Sequence, residues 1–255
     1  MTEPITIDFY RALTDNDAGG RFGHNWRNRR LHETKHHVRQ IRWEIQRAGL
    51  IVEVLGRVAP PVLAWGADTN VKYTFSTHGV CIRARICPRG PLLPETFARI
   101  GLTLGLKNVD RVRWFGRGPG ESYCDKKMAQ SIGTWDSQVD DLFFDYEFPQ
   151  DSGNRTDIRW VEFVGKKEEN GKPERLMRAR FGDLDGASFS ALHYTTKDLD
   201  EAMHPFELHK RKREDTIVKL DWVHHGLGTG SCGPATLPAY ELKTNRVFDF
   251  EVLLD

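Results

Sequence analysis

"VKYTFSTHGVCIRARICP", residues Val71 to Pro88, decides the fold class. On either side of His78-Gly79 the residues alternate: Val71, Tyr73 and Phe75 before it, Val80, Ile82, Ala84 and Ile86 after it. A period of two puts one set of side chains on each face of an extended strand, and a His-Gly pair between two such runs is a hairpin signal. The same grammar continues outward through "ETFARIGLTLGLK", "VDRVRWFG", "TDIRWVEFV", "GASFSALHY", "TIVKLDWVHH" and "NRVFDFEVLL". Pro-, Gly- and Asn-containing turns separate these runs, and no regular strand–helix alternation appears. The pattern predicts a mainly β protein, a large antiparallel β-sandwich with one or two short helices.

The best helical candidate runs from Asn25 to Gln46, with Asn25 as N-cap and Leu31, Thr34, Val38 and Ile41 near helical spacing. Its apolar face is weak and its "VRQIRWEI" end alternates as a strand does, so helix and strand both stay open there. "TTKDLDEAMH" (Thr195 to His204) reads as a short helix capped by Thr195 or Thr196, and "GKKEENGKPER" (Gly165 to Arg175) as a hairpin tip. No tandem repeat or domain boundary is visible, so residues 1–255 are taken as one domain.

Composition narrows the function classes. At 255 residues and 39% hydrophobic content the chain can bury one large core, and a net charge of +1 selects no polyanionic partner. "HKRKRED" (His209 to Asp215) looks like a nucleic-acid patch, but Glu214 and Asp215 follow the basic run at once and a solvated loop is expected. The start "MTEPITIDFY" has no secretory layout, and no apolar stretch is long enough to span a bilayer. Cys81, Cys87, Cys124 and Cys232 form no C-x-x-C pair. The expectation is a cytoplasmic protein with free thiols, no cofactor, no membrane and no nucleic-acid partner. A metal reading of His32 and His36, four apart on a helix face, finds no third ligand and a surround of arginines.

Three segments are more particular than a generic sandwich: "YRALTDNDAGG" (Tyr10 to Gly20), "VRWFGRGPGESYCDKK" (Val112 to Lys127) continued by "YEFPQDSGNRTDIRW" (Tyr146 to Trp160), and "LDWVHHGLGTGSCGPATLPAYEL" (Leu220 to Leu242). In this order and spacing they resemble the C-terminal, small-chain domain of family-2 β-galactosidases, over nearly the whole chain. The resemblance implies a galactose mutarotase-like supersandwich. Three positions depart from the family pattern: Leu13 stands for proline, Ser122 for asparagine, and "QDSG" for "QENG". The family's hydrolytic glutamates sit on a separate (β/α)₈ barrel that nothing here encodes, and the domain's first strands are expected to be missing.

The resemblance implies that "TDNDAGGRFGHNW" is a loop at an active-site rim. Asp15, Asn16 and Asp17 supply carboxylate and amide groups suited to sugar hydroxyls, and Gly19, Gly20 and Gly23 let the backbone reshape; the competing reading is turn capping. Arg117, Glu121 and Asp125, with Arg155, are expected to pin loops through a buried network, and Glu121 becomes a candidate general acid if buried. Cys232, at the tip of the glycine-rich "GLGTGSCGP" loop, is a candidate ligand contact. His204 and Glu207 are a candidate acid/base pair in the sandwich cavity, by analogy of fold alone. The tryptophans are mostly core.

Two functions follow. In one, the chain is a small-chain subunit that contributes pocket loops to a barrel-bearing glycosidase partner, without hydrolysing alone. In the other, the sandwich is a stand-alone homo-oligomeric or monomeric protein. It then binds a sugar or other small metabolite, or works as an epimerase, isomerase, cyclase or lyase by proton transfer. Its candidate machinery is Asp17, His24, Glu121, His204 and Glu207, with Trp26 and Cys232 lining the site.

Overall fold

A computed structural model describes residues 1–47, 49–167, 173–181 and 186–255. Among them the chain forms β1 (Thr6–Asp8), helices α1 (Asp15–Gly19) and α2 (Arg21–Asn28), and strands β2 (Lys35–Gln46), β3 (Gly49–Ala59), β4 (Gly66–Ser76), β5 (Gly79–Arg89), β6 (Arg99–Leu106), β7 (Val109–Gly118) and β8 (Ser131–Gln138). It continues through β9 (Arg155–Thr156), β10 (Trp160–Lys167), β11 (Pro173–Arg180), β12 (Ser188–Leu192), helices α3 (Thr196–Glu201) and α4 (Pro205–His209), β13 (Thr216–His224) and β14 (Phe248–Leu254). The expected hairpin is β4–β5, in register from Gly66↔Arg89 to Ser76↔Gly79, with Gly79 at φ +116° where a side chain is disfavoured.

The strands form two antiparallel sheets, ordered β1-β6-β13-β12-β9 and β2-β3-β4-β5-β14-β11-β10-β7-β8. Their facing sides interlock through the alternation read from the sequence. Val71, Ile82, Ala84, Val112, Trp114, Val161, Phe163 and Val252 from the larger sheet meet Ile100, Leu102, Leu104, Phe189, Val218, Leu220 and Trp222 from the smaller one. Ring pairs such as Phe9–Phe97 at 4.4 Å and Trp222–Phe250 at 4.9 Å fill the space between the sheets. Trp26, Trp65, Trp114 and Trp222 are fully buried, as core tryptophans should be, while Trp43 is exposed.

The Asn25–Gln46 expectation is corrected. Helix α2 starts at Arg21, capped by Gly20, and it ends at Asn28 before Arg30 turns left-handed at φ 53°. From Lys35 the chain is strand β2, paired with β3 from Lys35↔Ala59 to Gln46↔Gly49. A weakly apolar local helix loses to an eleven-residue ladder against a strongly β-forming neighbour, "LIVEVLGRV". His32 and His36 therefore share no helix face: His32 lies in a short 3₁₀ turn and His36 on β2, its Nε2 2.8 Å from the Ile7 carbonyl. Thr195 caps α3 as expected, in a reciprocal box with Asp198. Strands β10 and β11 are antiparallel, and the tip expected between them, residues 168–172, lies outside the described residues. No helix among the described residues is long and apolar enough to cross a membrane.

Candidate functional site

Strand β13 builds the floor of the site by simple alternation. Val218, Leu220 and Trp222 point into the core, so Lys219 and Asp221 point to the other side of the smaller sheet. That side is covered by residues 8–26 and by the loops carrying Glu121 and Asp151, which makes its charges buried and obliges them to pair. Arg99 donates to Asp221 at 2.6 Å and to Asp8 at 2.7 Å. Lys219 Nζ lies 3.1 Å from Asp151, which also accepts from the Tyr123 hydroxyl at 2.9 Å. Burial pushes the Asp151 carboxyl up, but Lys219, His224 and Arg11 outweigh it and hold that carboxyl below its usual range.

Arg11 is the centre of the next layer. Fully buried, its guanidinium holds Asp17 at 2.8 Å and 3.1 Å, donates to the carbonyls of His225 (2.7 Å) and Gly226 (3.3 Å), and lies over the Trp26 ring. Asp17 also accepts from Thr14 N at 3.0 Å and Thr14 Oγ1 at 2.9 Å, completing the capping box of α1. Asp17 is thus not free to face a ligand. It compensates a buried cation and ties the chain start to the end of β13. The turn-capping reading holds for this residue.

The two glycine-rich loops meet above this layer. Asn16 Oδ1 accepts from Ser231 N at 3.2 Å and Ser231 Oγ at 2.7 Å. A Cβ on Gly230 would sit 2.6 Å from the Asn16 carbonyl oxygen, and one on Gly19 2.7 Å from the Gly230 carbonyl oxygen, so the two backbones touch only because both residues are glycine. Asp125 anchors the second loop from below by accepting from Leu227 N at 3.0 Å and Gly228 N at 2.8 Å. Asp15 is exposed and exchanges hydrogen bonds with Gln150, each at 3.2 Å. Glu121 accepts from Tyr146 OH at 2.7 Å and Gly153 N at 2.8 Å. Burial, the bond to Glu121 and the charges of Glu121 and Asp15 push the Tyr146 hydroxyl up. The junction presents Asp15, Asn16, Ser231 and exposed Cys232 as polar groups, with the Phe144–Tyr146 ring pair (4.5 Å) on the Glu121 side.

The remaining sequence candidates do not gather here. Trp26 is core: its indole N–H is shared by the carbonyl and hydroxyl of Thr96, both at 3.0 Å, and His225 packs edge-on at 5.2 Å. His24 is exposed on α2, its Nε2 2.7 Å from the Asn28 amide. His204 and Glu207 are not in a cavity between the sheets, which side chains fill. His204 is the exposed residue before α4, stacked on Phe206, and Glu207 accepts from Met203 N at 2.8 Å. The expected loop-pinning network is real but divided: Arg117 pairs with Asp157 at 2.5 Å, Glu121 and Asp125 hold different loops, and Arg155 donates to the carbonyls of Pro119, Leu142 and Gly153. A surface cavity of about 290 Å³, lined by Phe143, Tyr194, His193 and His209 among others, contains none of the expected site residues.

The three departures from the family pattern are buried or supporting positions. Leu13 N donates to Asp200 at 3.2 Å, a bond proline cannot make. Ser122 Oγ accepts from Thr156 N at 3.0 Å, and Asp151 belongs to the Lys219 pair. Sequence reading missed Arg11, Lys219 and Asp151. For Lys219 the signal was its place two positions from Asp221 on an otherwise apolar strand, with Arg99 on a neighbouring one; nothing comparable marked Arg11 or Asp151.

Comparison with known proteins relates the chain to one family. The family described as beta galactosidase small chain matches residues 1–254. A β-galactosidase of Kluyveromyces lactis is 32% identical over 257 residues, covering 98% of this chain and 23% of that protein. One from Vibrio cholerae is 28% identical, covering 100% of this chain and 24% of its own. A solved galactose mutarotase-like protein from Lactobacillus casei aligns with TM-score 0.45 and 8% identity over 85% of this chain and 72% of that one. The chain spans about a quarter of the length of the curated relatives named here, and with a match running from end to end it belongs to the β-galactosidase small-chain family.

Proposed function

We propose that this chain supplies part of the sugar-binding rim of a β-galactosidase whose hydrolytic groups lie on a larger, barrel-bearing portion. The observation that carries the reading is the interlock of the loops at Asn16–Gly20 and Gly228–Gly233. Two segments more than 200 residues apart (14–20 and 226–233) combine into one exposed edge of amide, hydroxyl, carboxylate and thiol groups. Such groups are suited to orienting sugar hydroxyls. Hydrolysis needs two carboxyl groups facing one glycosidic bond. Asp17 is consumed by Arg11, and Glu121 by Tyr146 and Gly153, so the junction orients but does not cleave. The stand-alone proton-transfer reading loses support, because Asp17, His24, Glu121, His204 and Glu207 do not converge.

The test is complementation. The chain is mixed with Kluyveromyces lactis β-galactosidase from which the matching segment has been removed, and nitrophenyl-galactoside hydrolysis is measured. The expected result is activity from the mixture and none from either part. Hydrolysis by this chain alone, or a silent mixture containing folded chain, would count against the reading.

A further inference from the structure

The core-facing side of the larger sheet does not stop where the smaller sheet stops. Three cross-strand rows can be followed across β2, β3, β4, β5 and β14: Ile41–Val54–Val71–Ala84–Phe250, Trp43–Val52–Tyr73–Ile82–Val252 and Ile45–Leu50–Phe75–Val80–Leu254. At the β5–β14 end they are core, with Ile82 fully buried and Val252 nearly so. At the β2 end they lie open: Ile41 is 58%, Trp43 69%, Ile45 79%, Leu50 37% and Phe75 40% exposed. His36, at the other end of β2, still reaches the smaller sheet through the Ile7 carbonyl. The uncovered part is therefore the corner formed by the β2–β3 and β4–β5 hairpin ends. Together these side chains expose on the order of 500 Å² of contiguous apolar surface, the upper range of what a monomer shows. The opposite face of the same strands carries a charge ladder of Glu53, Lys72, Arg83 and Glu251 beside a buried Ile51.

We infer that this overhanging corner is the docking surface for the larger portion of a β-galactosidase, an inference that rests on the function proposed above. About three quarters of the relatives' length lies outside the segment this chain matches, which supplies a body large enough to cover the corner. Charge argues for a different partner from a second copy. Between Lys35 and Arg47 the edge strand and its turn carry Lys35, Arg39, Arg42 and Arg47 against the single acid Glu44. Among the described residues Arg42 and Arg47 have no carboxylate partner. A second copy would bring this cationic edge against itself, whereas an apolar surface with an acidic rim complements it. Trp43, flanked by Ile41 and Ile45, is the anchor such a surface would receive.

The test uses sedimentation velocity on the same mixture of full chain and truncated Kluyveromyces lactis enzyme. Variants Trp43→Glu and Ile45→Glu change exposed side chains, so melting curves like wild type are expected, while the complex weakens roughly a hundredfold. Lys72→Glu, on the opposite face, should change affinity less than about threefold. A complex that forms equally well with Trp43→Glu and Ile45→Glu overturns the docking surface and leaves the proposed function standing. No complex with folded wild type overturns both. A wild-type homodimer dissolved by Trp43→Glu assigns the corner to a second copy and overturns the inference.

Discussion

Lowering the pH from 7 to 5 is expected to strip stability from this protein through one buried imidazole. His225 follows β13 with no exposed surface, edge-on to Phe22 at 4.6 Å and Trp26 at 5.2 Å. Its Nδ1 lies 2.8 Å from the Gly226 carbonyl, an acceptor, so Nδ1 carries the proton of the neutral ring. The other nitrogen, Nε2, is buried without a partner among the described residues, and a second proton there would find no acceptor. Burial first, and the Arg11 guanidinium second, lower the pKa from 6.5 to about 4. The unfolded chain takes up a proton near pH 6.5 and the folded one does not until about pH 4. The stability is thus fully present above 6.5 and is lost as pH falls toward 4. The loss amounts to about 2 kcal/mol by pH 5 and about 3 kcal/mol by pH 4, at about 1.4 kcal/mol per pH unit. His224, lowered by burial and Arg11, acts in the same direction. Urea unfolding at pH 7, 6 and 5 measures the loss, with His225→Asn as the variant that keeps a donor toward Gly226 and cannot titrate. Its stability should fall by about 2 kcal/mol less than wild type over that range. Parallel pH curves for the two proteins would refute the reasoning.

Three further outcomes test the site. Asp17→Asn strands the Arg11 charge in a dry interior and should cost about 3–5 kcal/mol in denaturant unfolding, whereas Asp15→Asn on the exposed rim should cost under about 1 kcal/mol. Gly230→Ala forces a Cβ to 2.6 Å from the Asn16 carbonyl oxygen. Amide exchange in residues 15–20 and 227–233 should then speed up roughly tenfold while the core strands stay protected. In native protein a maleimide should modify exposed Cys232 well before Cys124, whose thiol burial and Asp125 push up to about 11. Equal labelling would show that the loop over Cys124 opens freely.

Sheet architecture was legible because the alternation around His78-Gly79 and in "TIVKLDWVHH" is local and strong. Strand β2 was ambiguous because Val38, Ile41 and Ile45 also fit a helical stripe, and Trp43 alone speaks for a strand until β3 is known to lie beside it. In the candidate site, the motifs marked two loops that the fold brings into contact, but not the work of each side chain. Asp17 and Asp15 are two residues apart and chemically identical, yet one is consumed by Arg11 and the other is exposed. What separates them is a partner brought in by the fold. The same holds for Lys219, whose meaning depends on Asp151, 68 positions away.

The clasp at Arg11 has a consequence for how the chain is made. Two of the carbonyls that receive its guanidinium belong to His225 and Gly226, more than 200 positions downstream. β1 likewise pairs with β6, which must wait for β13 on its other edge. A nascent chain therefore carries residues 6–17 without their final partners until the segment through Gly226 has been synthesised. Contacts of such long sequence separation form slowly. Residues 6–17 are thus among the last of the described segments to find their place.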